Sequence, residues 1–372
     1  MSRYLRLFFI GLLLAPPTLG LAQTRSIISN LANPAIGMSA LFLAQAAPNL
    51  SLPGSTGPSF QEAEISVIST VDPLWTLAGN FTFDAGSGVA EEAYATTDAV
   101  PDITFKVGEF RAFFGKHGTL HTHAFPFIQA PLIMSNTLGE EGFKNAGLEA
   151  AWMTPLPWYA ELTLGAYRPV ANDGVVQMGG NDGAGNHPLN FNSGSMDNIP
   201  YLAHLKNLFD VDDDTTLELG ASDLTGYGDD GLHHAVYGGD LTIRNVPLRR
   251  SNQAGWILQG EYLKKVSYTT GIYNQESDGW YASFQNRWGQ EWWSGFRFDE
   301  AFNLASDISI NPTDSSLSGH VQRASVNVAW LPSEFSEMKL EYGIAKDATG
   351  AVDNRVMLQF NYIIGFHPPH SY

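Results

Sequence analysis

Apolar and polar residues take turns along most of the chain, the period of a strand whose two faces meet different surroundings. In Ser336 to Asp347, Met338, Leu340, Tyr342 and Ile344 are apolar, with Lys339, Glu341 and Gly343 between them. Asn354 to Phe366 sets Val356, Leu358, Phe360, Tyr362 and Ile364 against Arg355, Gln359 and Asn361. The same rhythm opposes Arg323, Ser325 and Asn327 to Ala324, Val326 and Val328, and Glu62, Glu64 and Ser66 to Ala63, Ile65 and Val67. Helical periodicity is not sustained anywhere. The pattern predicts about sixteen strands of roughly ten to thirteen residues, the length a tilted strand needs to cross a bilayer. The first is placed at Asn33 to Gln45, the fifth at Ile103 to Gly115 and the last at Asn354 to Phe366. Near Gly108 the alternation slips, so Glu109 and Arg111 cannot share a face with both Phe105 and Val107 unless a bulge intervenes.

The connections sort by parity. Every second one is tight and holds a breaker: Asp72-Pro73, Pro101-Asp102, Pro155-Leu156-Pro157, Asp212-Asp213-Asp214, Gly289-Gln290 and Pro332-Ser333. Most of those between are long and polar, at Ala46 to Ser59, Lys116 to Lys144, Pro169 to Asn198, Tyr268 to Asp278 and Ala301 to Gly319. Ala85 to Gly88 and Ala348 to Asp353 are short for that side, and Pro247 to Ala254 is long for the other. A soluble sandwich has no reason to sort its loops this way, whereas an outer-membrane barrel has short periplasmic turns and long extracellular loops. In lipid no sheet edge can stay unpaired, so the predicted fold is a closed, all-β antiparallel barrel, apolar outside and polar in the lumen. Trp75, Trp158, Tyr159, Tyr201, Phe209, Trp256, Tyr268, Trp280, Trp288, Trp292 and Trp330 stand near strand ends, where interfacial girdles form.

On the polar face fall charges of both signs, among them Lys106, Glu149, Glu161, Arg244, Arg287, Arg297, Arg323 and Arg355, joined by Arg111 if the bulge forms. The expectation is a hydrated wall whose field orients and filters solutes. The segment Lys116 to Lys144 is too apolar for a free loop, since Leu120, Ala124, Phe125, Phe127, Ile128, Leu132, Ile133 and Met134 need cover. Folded into the barrel it would narrow the bore and set Glu140 and Glu141 opposite lumenal Arg and Lys. It also carries His117, His121 and His123, a nitrogen donor set suited to a divalent metal such as zinc, and His367 and His370 form a second pair.

Composition removes other classes. The 372 residues carry a formal charge of -18, so a phosphate backbone would find no basic face and nucleic acid is excluded as a partner. Without cysteine there is no disulfide, thiolate site or cysteine nucleophile. Arg3 and Arg6, the apolar run Leu7 to Leu14 and Gly20-Leu21-Ala22 read as a signal peptide over 1-22, leaving a single barrel domain over 23-372. No nucleophile elbow, zinc-protease helix, phosphate loop or dinucleotide fingerprint occurs, so no enzyme is expected.

GEFRAFFGKHGTLHTHAFPF, LGEEG, YAELTLGAY, HLKNLFDVDDDTTLELG, LPSEF and HPPHSY resemble a set of porin-like bacterial outer-membrane proteins, also described as zinc-regulated and TonB-linked. The resemblance covers most of 23-372 and implies an envelope barrel with lipid around it. A TonB-dependent receptor carries a plug domain ahead of its barrel; Gln23 to Ala32 is too short for one, so passive passage is expected. The first reading is a channel for small hydrophilic solutes or ions, compatible with a homotrimer. The second is a receptor for divalent metal using the histidine-bearing loop, and the third a structural barrel with an occluded lumen.

Overall fold

The computed structural model describes residues 34–47, 56–84, 86–169, 198–228, 232–247, 253–269, 272–304 and 319–365. The signal-peptide segment, His367 and His370 lie outside these residues, as does most of the predicted loop from Pro169 to Asn198. The strands are β1 (Ala35–Ala46), β2 (Thr56–Thr70), β3 (Thr76–Phe83), β4 (Gly88–Val100), β5 (Ile103–Arg111), β6 (Lys144–Met153), β7 (Tyr159–Tyr167) and β8 (Tyr201–Asp210). They continue as β9 (Thr215–Tyr227), β10 (His233–Asn245), β11 (Ala254–Thr269), β12 (Ile272–Trp288), β13 (Trp292–Leu304), β14 (Gly319–Ser333), β15 (Ser336–Asp347) and β16 (Val352–Gly365). Each pairs antiparallel with its neighbours in sequence, and β1 pairs with β16 over Gly37↔Gly365 to Ala46↔Val356, so the sheet closes into a barrel without an edge.

The alternation separates outside from inside. On β15 Leu340 is 51% exposed while its neighbour Glu341 is 0% exposed. Ile36, Leu148, Leu164, Phe296, Val326, Val356 and Tyr362 are likewise exposed, and Arg297, Arg323, Lys339 and Arg355 are buried. This inverts the pattern of a water-soluble domain and gives the exterior the apolar surface that hydrocarbon requires. At the short-turn rim Trp288 stacks on Trp292 and Trp292 on Trp330, with ring centroids 5.4 and 6.2 Å apart. Tyr159, expected in that girdle, instead donates its hydroxyl to Glu161 at 2.9 Å on the inner face of the rim.

The turns are built as their sequences suggest. Asp72 Oδ1 accepts from the N–H groups of Leu74 and Trp75 at 2.8 and 2.9 Å, and Asp212 Oδ1 from that of Asp214 at 2.9 Å.

Two local expectations are corrected. No register shift falls on β5 at Gly108, which absorbs the irregularity through φ 140°, a value open to glycine. The bulge lies on β4, where pairing passes from Asn80↔Glu92 to Phe81↔Ala90 and leaves Glu91 without an opposite residue. In addition, β5 ends at Arg111 rather than Gly115. The chain turns into the lumen from residue 112 onward, with Phe114 fully buried there.

The lumen is not polar throughout, as the alternation alone suggested. Leu202, Leu224, Val236, Leu263, Val321 and Ala345 face inward and form one buried cluster with Phe110, Phe114, Leu132, Ile133 and Met134. They are an inner apolar seat for the chain that enters the barrel.

Candidate functional site

Between β5 and β6 the chain crosses the lumen through two 3₁₀ turns, His117–Thr119 and Thr122–Ala124, and a short helix, α1 (Leu132–Thr137), that starts after Pro131. The helix packs on β11, β12 and β13, and the second turn on β1. Such irregular backbone, buried inside the barrel, needs partners for the N–H and C=O groups that its own turns do not pair.

The wall charges supply them. Carboxylates accept from loop N–H groups: Glu149 from Phe113 at 3.0 Å, Glu261 from Lys116 and His117 at 3.1 and 2.7 Å, Glu341 from Ile128 at 2.6 Å and Asp299 from Leu132 at 3.1 Å. Cationic and amide groups donate to loop carbonyls: Lys339 to Phe125 at 2.6 Å, Asn327 to Pro126 at 2.8 Å, Arg297 to Gln129 at 2.7 Å, and Asn361 to His123 at 3.0 Å. Arg323 donates to the Ala130 carbonyl as well. Hence both signs occur on one wall. Arg297 and Arg323, expected to face a water-filled bore, are buried on Asp299 and the loop backbone. Arg355 is buried on Asp353 at 2.7 Å.

A second centre surrounds Arg111. The bulge on β4 points both Glu91 and Glu92 inward, and the guanidinium meets them at 2.7 and 3.1 Å. Its third carboxylate is Glu141 of the loop, which also accepts from the N–H and hydroxyl of Thr122 at 2.7 and 2.6 Å. Glu140 contributes its backbone carbonyl, 3.0 Å from His117 Nε2. Lys106 lies over the rings of Tyr94 and Phe110, 4.3 Å from each centroid, and opposite Glu149 in the β5–β6 register.

The three loop histidines part company. His117 is stacked on Phe125 with centroids 4.5 Å apart, and burial together with the charge of Arg297 lowers its pKa to about 3. His121 Nδ1 lies 2.6 Å from Glu64 Oε2 and its Nε2 3.1 Å from Glu92. Burial and Arg111 oppose a charge on this ring, yet the hydrogen bonds to Glu64 and Glu92 outweigh them and raise its pKa to about 10. His123 is 3.9 Å from the same Glu64 oxygen, and its ring centroid is 5.5 Å from that of His121. Glu64, His121 and His123 thus offer ligand atoms within 4.8 Å of one another, so a β2 carboxylate takes the place expected of His117.

His117 should make the barrel acid-sensitive. Its folded pKa lies below the ordinary value near 6.5, so the unfolded chain binds the extra proton and stability falls as pH drops from about 6.5 toward 3. Asp299 and Glu141 act against this shift, and the Tyr281 ring packs on the imidazole edge. Between pH 7 and pH 4 the denaturant midpoint of the wild type should fall further than that of His117→Asn. Equal falls would contradict this account.

The remaining expected residues lie toward the short-turn end. A cavity of about 1060 Å³ is lined there by Lys116, Lys206, Arg244, Glu218 and the acidic turn Asp212 to Asp214. Lys116 bonds Glu218 at 3.0 Å and Lys206 does so at 3.4 Å. Glu161 pairs with Lys206 across β7 and β8, while Arg287 donates to the Gln290 carbonyl at 2.8 Å beside Trp293. Sequence reasoning passed over Glu91, Glu92 and Asp299. Asp299 stands two residues from Arg297 on one strand and so shares its face, a readable signal. The paired inward glutamates have none, since a strict alternation turns one of them outward.

No protein-family model matches the sequence. An uncharacterised protein of Aquifex aeolicus (strain VF5) is 27% identical over 341 residues, spanning 85% of this chain and 70% of that protein. Among solved structures, OprB of Pseudomonas putida superposes with a TM-score of 0.59 at 8% identity, covering 92% of this chain and 96% of that one. The loop L8 deletion mutant of OmpT, an outer membrane protein of Vibrio cholerae, gives 0.56 at 9% identity over 89% of this chain and 99% of that one. An anion-selective porin from Comamonas acidovorans gives 0.55 at 7% identity, covering 89% and 99%. These likenesses show the fold, a sixteen-strand porin barrel.

Proposed function

We propose that the protein is an outer-membrane, porin-like channel for small hydrophilic solutes or ions, kept narrow by the segment folded into it. The observation that carries this reading is a closed barrel, apolar outside, whose interior keeps a charged cavity of about 1060 Å³. The inward segment also touches the wall at β8, β9 and β10, where Phe113 meets His204, the Gly115 N–H donates to Ser222 and Phe114 lies against Gly238, and a solute passes these contacts along the charged cavity beside the same strands. The Lys116–Glu218 ion pair lines that cavity. Asp210, Asp212, Asp213, Asp214 and Glu218 outnumber Lys116, Lys206 and Arg244 on the cavity lining, so the field attracts cations.

Reconstituted into planar bilayers under a salt gradient, the barrel should give small discrete conductance steps and a reversal potential of cation-preferring sign. An anion-preferring sign would refute the selectivity argument. The complete absence of steps would favour a second reading, an occluded envelope barrel, which the apolar seat beneath α1 supports.

A further inference from the structure

We infer that Glu64, His121 and His123 form a site for a first-row divalent cation with the coordination taste of zinc, held between the inward segment and β2. The inference does not rest on the channel reading, because a barrel that conducts nothing can still hold the ion.

The donor set comes first. Two imidazole nitrogens and one carboxylate oxygen suit borderline cations such as Zn²⁺ or Co²⁺ and are a poor match for Mg²⁺ or Ca²⁺, which prefer oxygen alone. All three donor atoms lie within 4.8 Å of one another on buried side chains. Ligands about 2.0 to 2.1 Å from a tetrahedral zinc stand about 3.3 to 3.4 Å apart. The separations here are 2.6 Å between His121 Nδ1 and Glu64, and 3.9 Å between His123 Nδ1 and Glu64. Side-chain adjustments of under about 1 Å would place the donors around the ion.

The surroundings agree. Glu92 lies 3.1 Å from His121 Nε2, the nitrogen turned away from the metal position, and Arg111 Nη1 and Asn80 Nδ2 also approach that nitrogen at 3.1 and 3.3 Å. A carboxylate accepting that N–H fixes the ring and strengthens the other nitrogen as a donor. Glu91, Glu92 and Glu141 surround the guanidinium of Arg111, and Glu64 meets Nδ1 of His121, so the metal position lies beside carboxylates as well as cations. Glu91, His121 and Glu141 also come within ligand range of one another, but Arg111 already binds both of those carboxylates. A cavity of about 250 Å³ borders Glu64, Asn80, Glu92 and His121, giving room for a water as a further ligand and a way in. The bound ion would cross-link the inward segment to the wall.

The test uses the full barrel in detergent, stripped with EDTA and titrated with Zn²⁺ alone by calorimetry, with Co²⁺ absorption as a second readout. One saturable site per chain is expected, weakened tenfold or more by His123→Ala and by Glu64→Gln, retained in His117→Ala, and not displaced by equimolar Ca²⁺. X-ray absorption of zinc on the unmutated protein should show two imidazoles, a measurement that stands even where a variant folds poorly. No saturable binding, an oxygen-only shell, displacement by Ca²⁺, or full binding in His123→Ala and Glu64→Gln would each overturn the site. Conductance is measured separately, so its absence would bear on the channel and leave the metal result standing.

Discussion

Excising residues 119–141 should raise the conductance of the barrel several-fold, to that of an open sixteen-strand pore. The chain offers its own splice point: a Cβ built on Gly142 would sit 2.5 Å from the Gly118 carbonyl oxygen, so the two backbones already touch. Removing the span takes away α1, its apolar seat loses its partner, and Arg297, Arg323 and Lys339 return to water. Barrels of about sixteen strands enclose an aqueous bore unless something fills it. The measurement is single-channel current in planar bilayers beside the parent protein. A milder variant, Arg297→Met with Arg323→Met, should give an intermediate or fluctuating conductance, because the carbonyls of Gln129 and Ala130 lose their donors. Conductance unchanged by the excision would mean that ions pass by a route the segment does not border.

Arg111→Met should be the most destabilising single substitution in the lumen. It leaves Glu91, Glu92 and Glu141 buried without the cation that faces all three. Removing one partner of a buried ion pair typically costs about 3 to 5 kcal/mol, far more than the pair itself contributes. The loss would be read as a lowered denaturant midpoint in detergent and as earlier heat unfolding. Adding Glu91→Gln and Glu141→Gln to Arg111→Met should recover a large part of it, since neutral amides need no counter-charge. A single variant within about 1 kcal/mol of the parent would show that those carboxylates are neutral in the parent as well.

The strand positions and the lipid-facing residues were legible because each depends on its near neighbours alone. A residue on β15 shows its face through the residue beside it, as Leu340 and Glu341 do. The closing pair was implied for the same reason, since lipid forbids an edge and leaves β1 only β16 as partner. The apolar content of the segment after β5 likewise announced that it needs cover, and its leucines, phenylalanines and isoleucines are buried.

What the inward residues do was not legible. Arg297 and Arg323 read as free lumenal charges, yet they hold carbonyls about 170 to 190 residues away in the chain. Glu91 and Glu92 both point inward only through a bulge, and His121 parts from His117 to meet Glu64, 57 positions earlier. Local alternation thus determined which face each side chain takes, because that depends on backbone geometry and solvent alone. Partners across the lumen were decided only by closure of the barrel and the path of the inward chain. Hydrogen bonds and charge pairs act over a few ångströms of space, and only tertiary structure brings distant residues that close.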